Sequence, residues 1–560
     1  MLQGQLWRPY YPPGVSPDFA GPPVRNIGEL VRNAAARYGQ RIAYTIVLPN
    51  GTEGSLTFAE VDALSDRFAV YLRETLGLSA GERVGVQMPN CLAYPVVAFG
   101  IAKAGCVIVN TNPLYTEPEV TRQFNDADVR AAVVINLFAD RLHPEKIPGL
   151  KHIVLACVSD LLPTLRRYLV SFVMRHVRKQ IPVAGYAHTS FLKTLGSDPH
   201  KAATYDEGID LGTLAALQYT GGTTGIAKGA MLSHGNLVSN TLQSFQFMSQ
   251  PLSWGGEICL TALPVYHIFA FTVNLLGIFH IGSTNILIPS PRPLTNMKVA
   301  LNRYPITLMT GVNTLFAALI NEPWFREAPP RALKFSVAGG MALHKAVSIR
   351  WREVTQSPII EGYGLTEASP VTHFNPLGSL VKENSIGVPL PGTDCRIVDD
   401  EGHDVSPGMP GELLIHGPQV MLGYWRQPEE TQKSIRNGWL YTGDVATMDA
   451  EGFFHIVDRK KDMIVVSGFN VYPNEVEDCI SKLEGVAEVA VIGVPDEMTG
   501  ECVKAFIVRR DQNLTAEMIR DHCRKELTSY KLPKRFEFRE ELPKSPVGKI
   551  LRKELRLPAA

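Results

Sequence analysis

Paired cysteines are missing from this 560-residue chain. Cys91, Cys106, Cys157, Cys259, Cys395, Cys479, Cys502 and Cys523 are scattered, with no CxxC among them. That argues against a zinc site or a disulfide framework and suits a reducing compartment. An excess of either charge is missing too, since 55 Lys and Arg balance 55 Asp and Glu. No global field therefore draws the protein toward nucleic acid or an acidic partner. The first residues show no basic segment followed by an apolar core, so no secretory signal is expected.

Two further absences are local. Residues 258–291 contain no Lys, Arg, Asp or Glu. Their length would allow a membrane-spanning helix. However, Pro264, His267, Asn274 and His280 interrupt the stretch, and Gly277, Gly282 and Pro289 break its end. A buried helix and strand within a large domain is the expectation. Residues 161–196 contain no acidic residue. Leu162, Leu165, Leu169, Phe172, Val173 and Val177 recur there at helical spacing, beside Arg166, Arg167, Arg175, Arg178 and Lys179. A basic amphipathic helix at 166–179 suits an anionic bilayer surface, and equally a surface helix packed on its own domain.

What is present is the alternation of an α/β protein. The length predicts about two to four domains. Asn26 can cap a helix running to Tyr38, and Thr57-Phe58-Ala59-Glu60 fits a capping box. Residues 84–88, 106–109, 131–135 and 152–157 read as buried strands separated by helical or loop segments. Largely parallel sheets follow from that order. Residues 371–424 are rich in Gly and Pro and β-like, which predicts a small barrel or sheet. The charge run 458–462 looks like a hinge. Beyond it lies a helix–strand–strand–helix–strand unit of about a hundred residues, the size of a small domain.

The chemistry centres on residues 219–229, YTGGTTGIAKG, with four glycines, three threonines and one lysine. Glycine lets the backbone approach a ligand closely, and successive N–H groups in such a loop make an anion-binding concavity. The same composition serves a simple turn between a strand at 214–219 and a helix from Ser233. It is not the usual P-loop, because Lys228 stands between Ala227 and Gly229 and no Gly-Lys-Ser/Thr ending is present. Four more stretches stand out: EGYGLTEASP (361–370), YTGDVATMD (441–449), VDRKKDMIVVSGFNVYPNEVE (457–477) and PKSPVGKILRKEL (543–555). Each alone could be a turn, a cap, a solvated linker or a surface lysine.

In this order and spacing the motifs resemble the adenylate-forming superfamily of acyl-CoA synthetases, luciferase-like enzymes and peptide-synthetase adenylation domains. YTGGTTGIAKGAMLSHGN, LPVYHIFAF, ITLMTGVNTLFAALI, GPQVMLGYW and LPKSPVGKILRKELR narrow it to resemblance with the bacterial long-chain fatty acid–CoA ligases. The resemblance spans nearly the whole chain. It implies an acyl-CoA synthetase-like α/β fold with a large adenylating domain at 1–457 that carries the acyl pocket. A hinge at 458–463 and a mobile α+β domain at 464–560 with the catalytic lysine would follow.

The resemblance also implies two half-reactions. A fatty carboxylate attacks the α-phosphorus of ATP to give acyl-AMP and pyrophosphate, and the thiol of coenzyme A then displaces AMP. Phosphoryl transfer mostly needs positioning and charge stabilisation. Thr220, Gly221, Gly222, Thr223, Thr224, Gly225 and Lys228 would hold the β- and γ-phosphates. Glu367 and Thr223 would bind Mg²⁺, though spacing leaves open whether Thr223, Thr224 or both touch the metal. Tyr363 would stack on adenine, with Gly340, Gly362, Gly364 and Thr366 completing the pocket. Asp444 would accept from the ribose hydroxyls, and Arg459 would contact the ribose–phosphate end. Lys549 would balance charge on the α-phosphate and carboxylate. Lys461 matches the hinge pivot, and Ser467 and Gly468 would face coenzyme A after rotation.

His267 would contact the substrate at the mouth of the carboxylate pocket without acting as a base, since a carboxylate is already ionised near pH 7. Gly339 and Phe269 line the acyl side, and the uncharged stretch with Phe269 and Phe271 is expected along an acyl tunnel. The alternatives are a ligase for medium-chain, branched or aromatic acids, or a non-catalytic acyl-binding membrane scaffold. A carrier-protein acyl-AMP ligase is disfavoured because the hinge region shows no insertion. Light emission is disfavoured because Val465 stands where luciferases place a second lysine. The resemblance admits a homodimer. A cytoplasmic location is expected, and the basic amphipathic segment 166–179 leaves open a peripheral contact on the inner face of the cell membrane.

Overall fold

The computed structural model describes residues 5–220, 227–378, 381–545 and 548–556. Two large sheets build the bulk of the protein. The first has eight strands in the order Gly423–Tyr424, Lys228–Ser233, Leu214–Thr220, Val107–Asn110, Arg83–Gln87, Val129–Ile135, His152–Ala156 and Thr189–Ser190. From Leu214–Thr220 to Thr189–Ser190 every pairing is parallel. The near-continuous apolar runs in these strands have this cause, since a parallel sheet is covered on both faces.

The second sheet has nine strands, with parallel pairing from Ile42–Val47 through Thr284–Leu287, Ile258–Thr261, Leu308–Gly311 and Phe335–Ala338 to Ile359–Gly364. Antiparallel strands close both edges. The expected caps form. Asn26 Oδ1 accepts from the Glu29 N–H at 2.8 Å ahead of helix Ile27–Tyr38. Thr57 and Glu60 make a reciprocal capping box on helix Phe58–Val70.

The uncharged stretch divides as expected for a buried segment. Strand Ile258–Thr261 leads into a helix at Ile268–Ala270 that continues as the π-helical Phe271–Ile278, and strand Thr284–Leu287 follows. Residues 268–278 are all buried. Among the described residues no helix is long and apolar enough to cross a membrane.

One local expectation is corrected. The glycine-rich loop does not lead from a strand into a helix. Strand Lys228–Ser233 intervenes and pairs antiparallel with Leu214–Thr220, up to the pair Thr220 and Lys228. The loop is therefore a hairpin tip, and helix His234–Phe247 starts only after the Ser233 cap. Thr220 and Lys228 are the described ends of that tip, whereas Gly221, Gly222, Thr223, Thr224 and Gly225 lie outside the described residues.

The expected β-like region 371–424 does not form one sheet: Val371–Phe374 and Val388–Pro389 join the nine-stranded sheet and Gly423–Tyr424 the eight-stranded one, while Asp394–Val398 and Gly411–His416 enter a five-stranded antiparallel sheet with Trp439–Met448, Ile435–Arg436 and Phe454–Arg459. The C-terminal unit carries its own five-stranded sheet around Val486–Asp496 and Gly500–Arg509. Its helices Pro473–Ser481 and Ala516–Cys523 cover that sheet. Two apolar clusters draw only on residues from Ile464 to Leu555, so this unit has a core of its own.

Candidate nucleotide and acyl site

The expected nucleotide residues gather at the ends of strands from three sheets. Tyr363 closes strand Ile359–Gly364, and its hydroxyl donates to Asp444 Oδ2 at 2.6 Å. Asp444 lies in Trp439–Met448 and is paired in register with Arg459 of Phe454–Arg459. Arg459 Nε stands 3.4 Å from Asp444 Oδ1. Asp444 is buried, and its neighbour Gly443 adopts a positive φ of 71° that lets the strand bulge there. Gly340 has φ 78° and nothing within 4 Å of where a Cβ would stand, leaving open space beside Gly339. Gly364 approaches the Pro370 carbonyl so closely that a Cβ would sit 2.0 Å from that oxygen. Gly362 faces the Phe374 ring in the same way, at 3.0 Å.

Lys228 and Glu367 are linked through one tyrosine. The Lys228 ammonium pairs with Glu430 and lies 5.0 Å from the centre of the Tyr424 ring. The Tyr424 hydroxyl donates to Glu367 Oε1 at 2.7 Å. Glu367 follows Thr366 in the short turn Thr366–Ala368, directly after the Tyr363 strand. Neither Tyr424 nor Glu430 was singled out from sequence. Tyr424 stood within the quoted GPQVMLGYW, and Glu430 had no signal beyond its proximity to it.

Lys549 reaches this cluster from the C-terminal unit. Burial and the nearby Arg459 guanidinium push its ammonium down to about 8, against the pull of Asp444. Its loop is braced from within: Ser545 N–H donates to the Lys549 carbonyl at 2.7 Å, and Lys549 N–H donates to Ser545 Oγ at 3.1 Å. On the far side Arg552 is clamped by Glu477 at 2.7 Å, Asp458 at 3.2 Å and Asn474 at 2.6 Å. Arg552 ties the lysine loop to Asp458, the first residue of the expected hinge. Sequence reading missed it because its partners lie 75 to 94 positions away.

His267 faces the same point from the large domain. Burial and the Lys549 charge push its imidazole down to about 4, so it is neutral at pH 7. Its Nδ1 accepts from the Phe269 N–H at 3.3 Å, capping the buried helix. The ring proton therefore sits on Nε2, a neutral donor on the other edge. Phe269 packs over Gly339, where a Cβ would come within 3.2 Å of the ring and 3.3 Å of the Gly362 carbonyl. Phe271 is fully inside the core. Glu361, which opens EGYGLTE, is pushed up to about 8 by burial; it accepts from the Leu343 N–H at 3.3 Å.

Ser467 and Gly468 do not join this cluster. They form the tip between Ile464–Val466 and Phe469–Val471, with φ of 51° and 83°, and both are exposed. Lys461 sits in the turn after Arg459, also exposed. Among the described residues no group of three or more His, Cys, Asp or Glu could hold a metal ion.

The family model of the AMP-binding enzyme matches residues 31–425, and that of the AMP-binding enzyme C-terminal domain matches residues 475–549. The chain belongs to the AMP-binding enzyme family. It is similar to a long-chain-fatty-acid–CoA ligase of Escherichia coli O157:H7, 44% identical over 99% of this chain and 98% of the relative. Among solved structures it resembles the anthranilate CoA ligase AuaEII in complex with anthranoyl-AMP, with a TM-score of 0.82 and 26% identity over 95% of this chain and 97% of the other. It also resembles ATP-bound MatB from Rhodopseudomonas palustris, with a TM-score of 0.80 and 28% identity over 95% and 98%. The fold is thus that of acyl-CoA synthetases. In this AMP-binding enzyme the two family matches leave residues 426–474 between them, a span that includes the expected hinge.

Proposed function

We propose that the protein is a long-chain fatty acid–CoA ligase that works through acyl-AMP. The observation that carries this is the seating of the Lys549 loop on the large domain, where the Gly548 carbonyl accepts from Thr314 Oγ1 at 3.0 Å and the Lys549 charge acts on His267 and is felt alongside Asp444 and Arg459. It sets a cation from the small unit where a carboxylate and an α-phosphate would react. The 44% identity to a long-chain ligase over 99% of the chain supports the substrate class. The neutral His267 donates Nε2–H to the carboxylate without adding charge. Lys549 and Arg459 offset the negative charge that develops on phosphate and carboxylate oxygens. Asp444 takes the ribose hydroxyls in place of its present donor, the Tyr363 hydroxyl.

The residues fit Mg²⁺ sparingly. Among the described residues the Glu367 carboxylate accepts from the Tyr424 hydroxyl, a neutral donor that leaves its charge for a hard cation. Mg²⁺ favours one or two carboxylates plus substrate phosphates over an all-protein cage. When bound there it supplies charge neutralisation at the phosphates.

Coenzyme A transfer follows rotation of residues 464–560 about 458–463, which withdraws Lys549 and brings Ser467 and Gly468 to the acyl-AMP. The separate core of the unit from Ile464 onward supports a rigid-body move. Fatty-acid-dependent ATP–pyrophosphate exchange and acyl-CoA formation across C6 to C18 acids test the assignment. Activity peaking at the long acids is expected, and a peak on short or aromatic acids would reassign it. Lys549→Ala should cut exchange by roughly a hundredfold or more while sparing transfer from supplied acyl-AMP. Equal loss in both steps would remove Lys549 from adenylation.

A peripheral membrane contact is favoured by a separate observation. Helix Thr164–Phe172 and its continuation Val173–Val177 have no buried residue. Leu165 is 72% exposed, Phe172 59% and Val177 65%, with the basic side chains beside them. An apolar face ringed by arginines and free of acids matches an anionic lipid surface. Salt-sensitive sedimentation with phosphatidylglycerol vesicles, lost in a Leu165→Ser/Phe172→Ser double variant, is expected. Binding that survives the double variant would move the contact elsewhere.

A further inference from the structure

The large domain contributes a turn that meets the C-terminal unit directly at Gly548 and, through His344, at Asp478. Residues 312–314 join strand Leu308–Gly311 to helix Asn313–Asn321. Thr314 Oγ1 donates to the Gly548 carbonyl at 3.0 Å, one residue before Lys549. Gly548 has φ 85°, and a Cβ there would meet Thr314 Oγ1 at 2.8 Å and Val312 Cγ2 at 3.2 Å. Gly548 is the residue that lets the lysine loop lie flat on this turn. The middle residue acts in parallel. Asn313 Oδ1 accepts from the His344 N–H at 3.0 Å, and His344 Nδ1 stands 3.1 Å from Asp478 Oδ1 on helix Pro473–Ser481 of the small unit.

We propose that residues 312–314, with His344, form a dock that seats the Lys549 loop for adenylation and is vacated for coenzyme A transfer. The proposal rests on the assignment of Lys549 to the first half-reaction. Thr314 and His344 are positioning residues, because neither touches the reacting atoms. Both contacts join the two units, so rotation of the small unit must break them together. The dock therefore lowers the free energy of one arrangement only. Weakening it costs adenylation and leaves transfer untouched.

The test measures the two half-reactions separately in the full-length enzyme: ATP–pyrophosphate exchange for adenylation, and acyl-CoA formation from supplied acyl-AMP for transfer. Thr314→Val keeps the shape and removes the donor. A lost hydrogen bond of ordinary strength lowers exchange by roughly threefold to tenfold, with transfer unchanged. Thr314→Ser restores exchange because the hydroxyl returns. His344→Ala produces the same split independently. Lys549→Ala, measured alongside, separates the two ideas. If it harms both half-reactions equally, the role of Lys549 itself is wrong. If it harms exchange alone while Thr314→Val and His344→Ala behave as wild type, the dock is wrong and the lysine assignment stands. Equal loss of both half-reactions in Thr314→Val, or no rescue by serine, would show a merely structural residue.

Discussion

Two side chains carry charges whose behaviour can be followed by pH and by kinetics. Lys549 lies near 8 in place of the ordinary 10.5 because it is buried beside Arg459. In the free enzyme its ammonium is lost as pH rises past about 8. The profile of kcat/KM for ATP reports the free enzyme, so it should fall above that pH. Bound phosphates stabilise the ammonium, so the limb in kcat should lie higher. Lys549→Arg should push the limb out of range, and a limb that stays in place would assign it to another group. Stability moves the other way. Between about 8 and 10.5 the unfolded chain holds more protons than the folded one, so the fold gains stability as activity declines. Lys228 raises a different issue, since Glu430 already occupies it. If Lys228 takes a phosphate as proposed, that phosphate displaces the Glu430 carboxylate. Glu430→Gln should lower the KM for ATP by roughly twofold to fivefold, the scale of a partly exposed ion pair. Steady-state kinetics at saturating fatty acid would read it, and an unchanged KM would mean Glu430 does not compete.

At the level of elements, the buried helix from Ile268 to Ile278 sets Phe269 against Gly339, two residues after His267, which caps that helix. Phe269→Trp adds bulk where a Gly339 Cβ would already be tight, so chain-length preference should move toward shorter acids. An unchanged profile across C6 to C18 would take Phe269 off the wall. Much at this scale was legible in the sequence. Apolar runs gave the parallel strands, and Thr57 with Glu60 gave a helix start. The missing charges at 258–291 gave a buried segment because a charge is too costly to bury unpaired. The strand Lys228–Ser233 escaped notice for a physical reason. It is short, begins with Lys228-Gly229, and ends at a serine that reads as the helix cap it also is. Its identity comes from pairing with Leu214–Thr220, a tertiary fact. Asp444 and Lys549 were picked out through the motifs that contain them, since an aspartate in a turn or a lysine in a loop announces nothing by itself. The site was opaque where only proximity matters: Thr314 and Gly548 are 234 positions apart, and a threonine in an apolar helix start carries no signal.

The proposed function sets a problem for the whole molecule: one small unit has to present Lys549 in the first half-reaction and Ser467 and Gly468 in the second. On the proposed roles the present arrangement suits adenylation, with Lys549 near Asp444 and His267 while Ser467 and Gly468 lie exposed at a strand tip. Holding that arrangement should therefore divide the reaction in two. His344 and Asp478 meet across the two units at 3.1 Å. Cysteines at both positions, bridged by a short bis-methanethiosulfonate, would pin the units where they are. Cys157 should first be replaced by serine, since it alone of the eight cysteines is not buried. The bridged enzyme should form acyl-AMP and release pyrophosphate in a single burst, then stall without making acyl-CoA. Reduction should restore turnover within the same sample. The contrast with a mere loss of folding is internal, because the burst requires an intact adenylation site. Continued acyl-CoA synthesis while bridged would mean that coenzyme A reaches the acyl-AMP without rotation, and the two-arrangement reading of this enzyme would have to be abandoned.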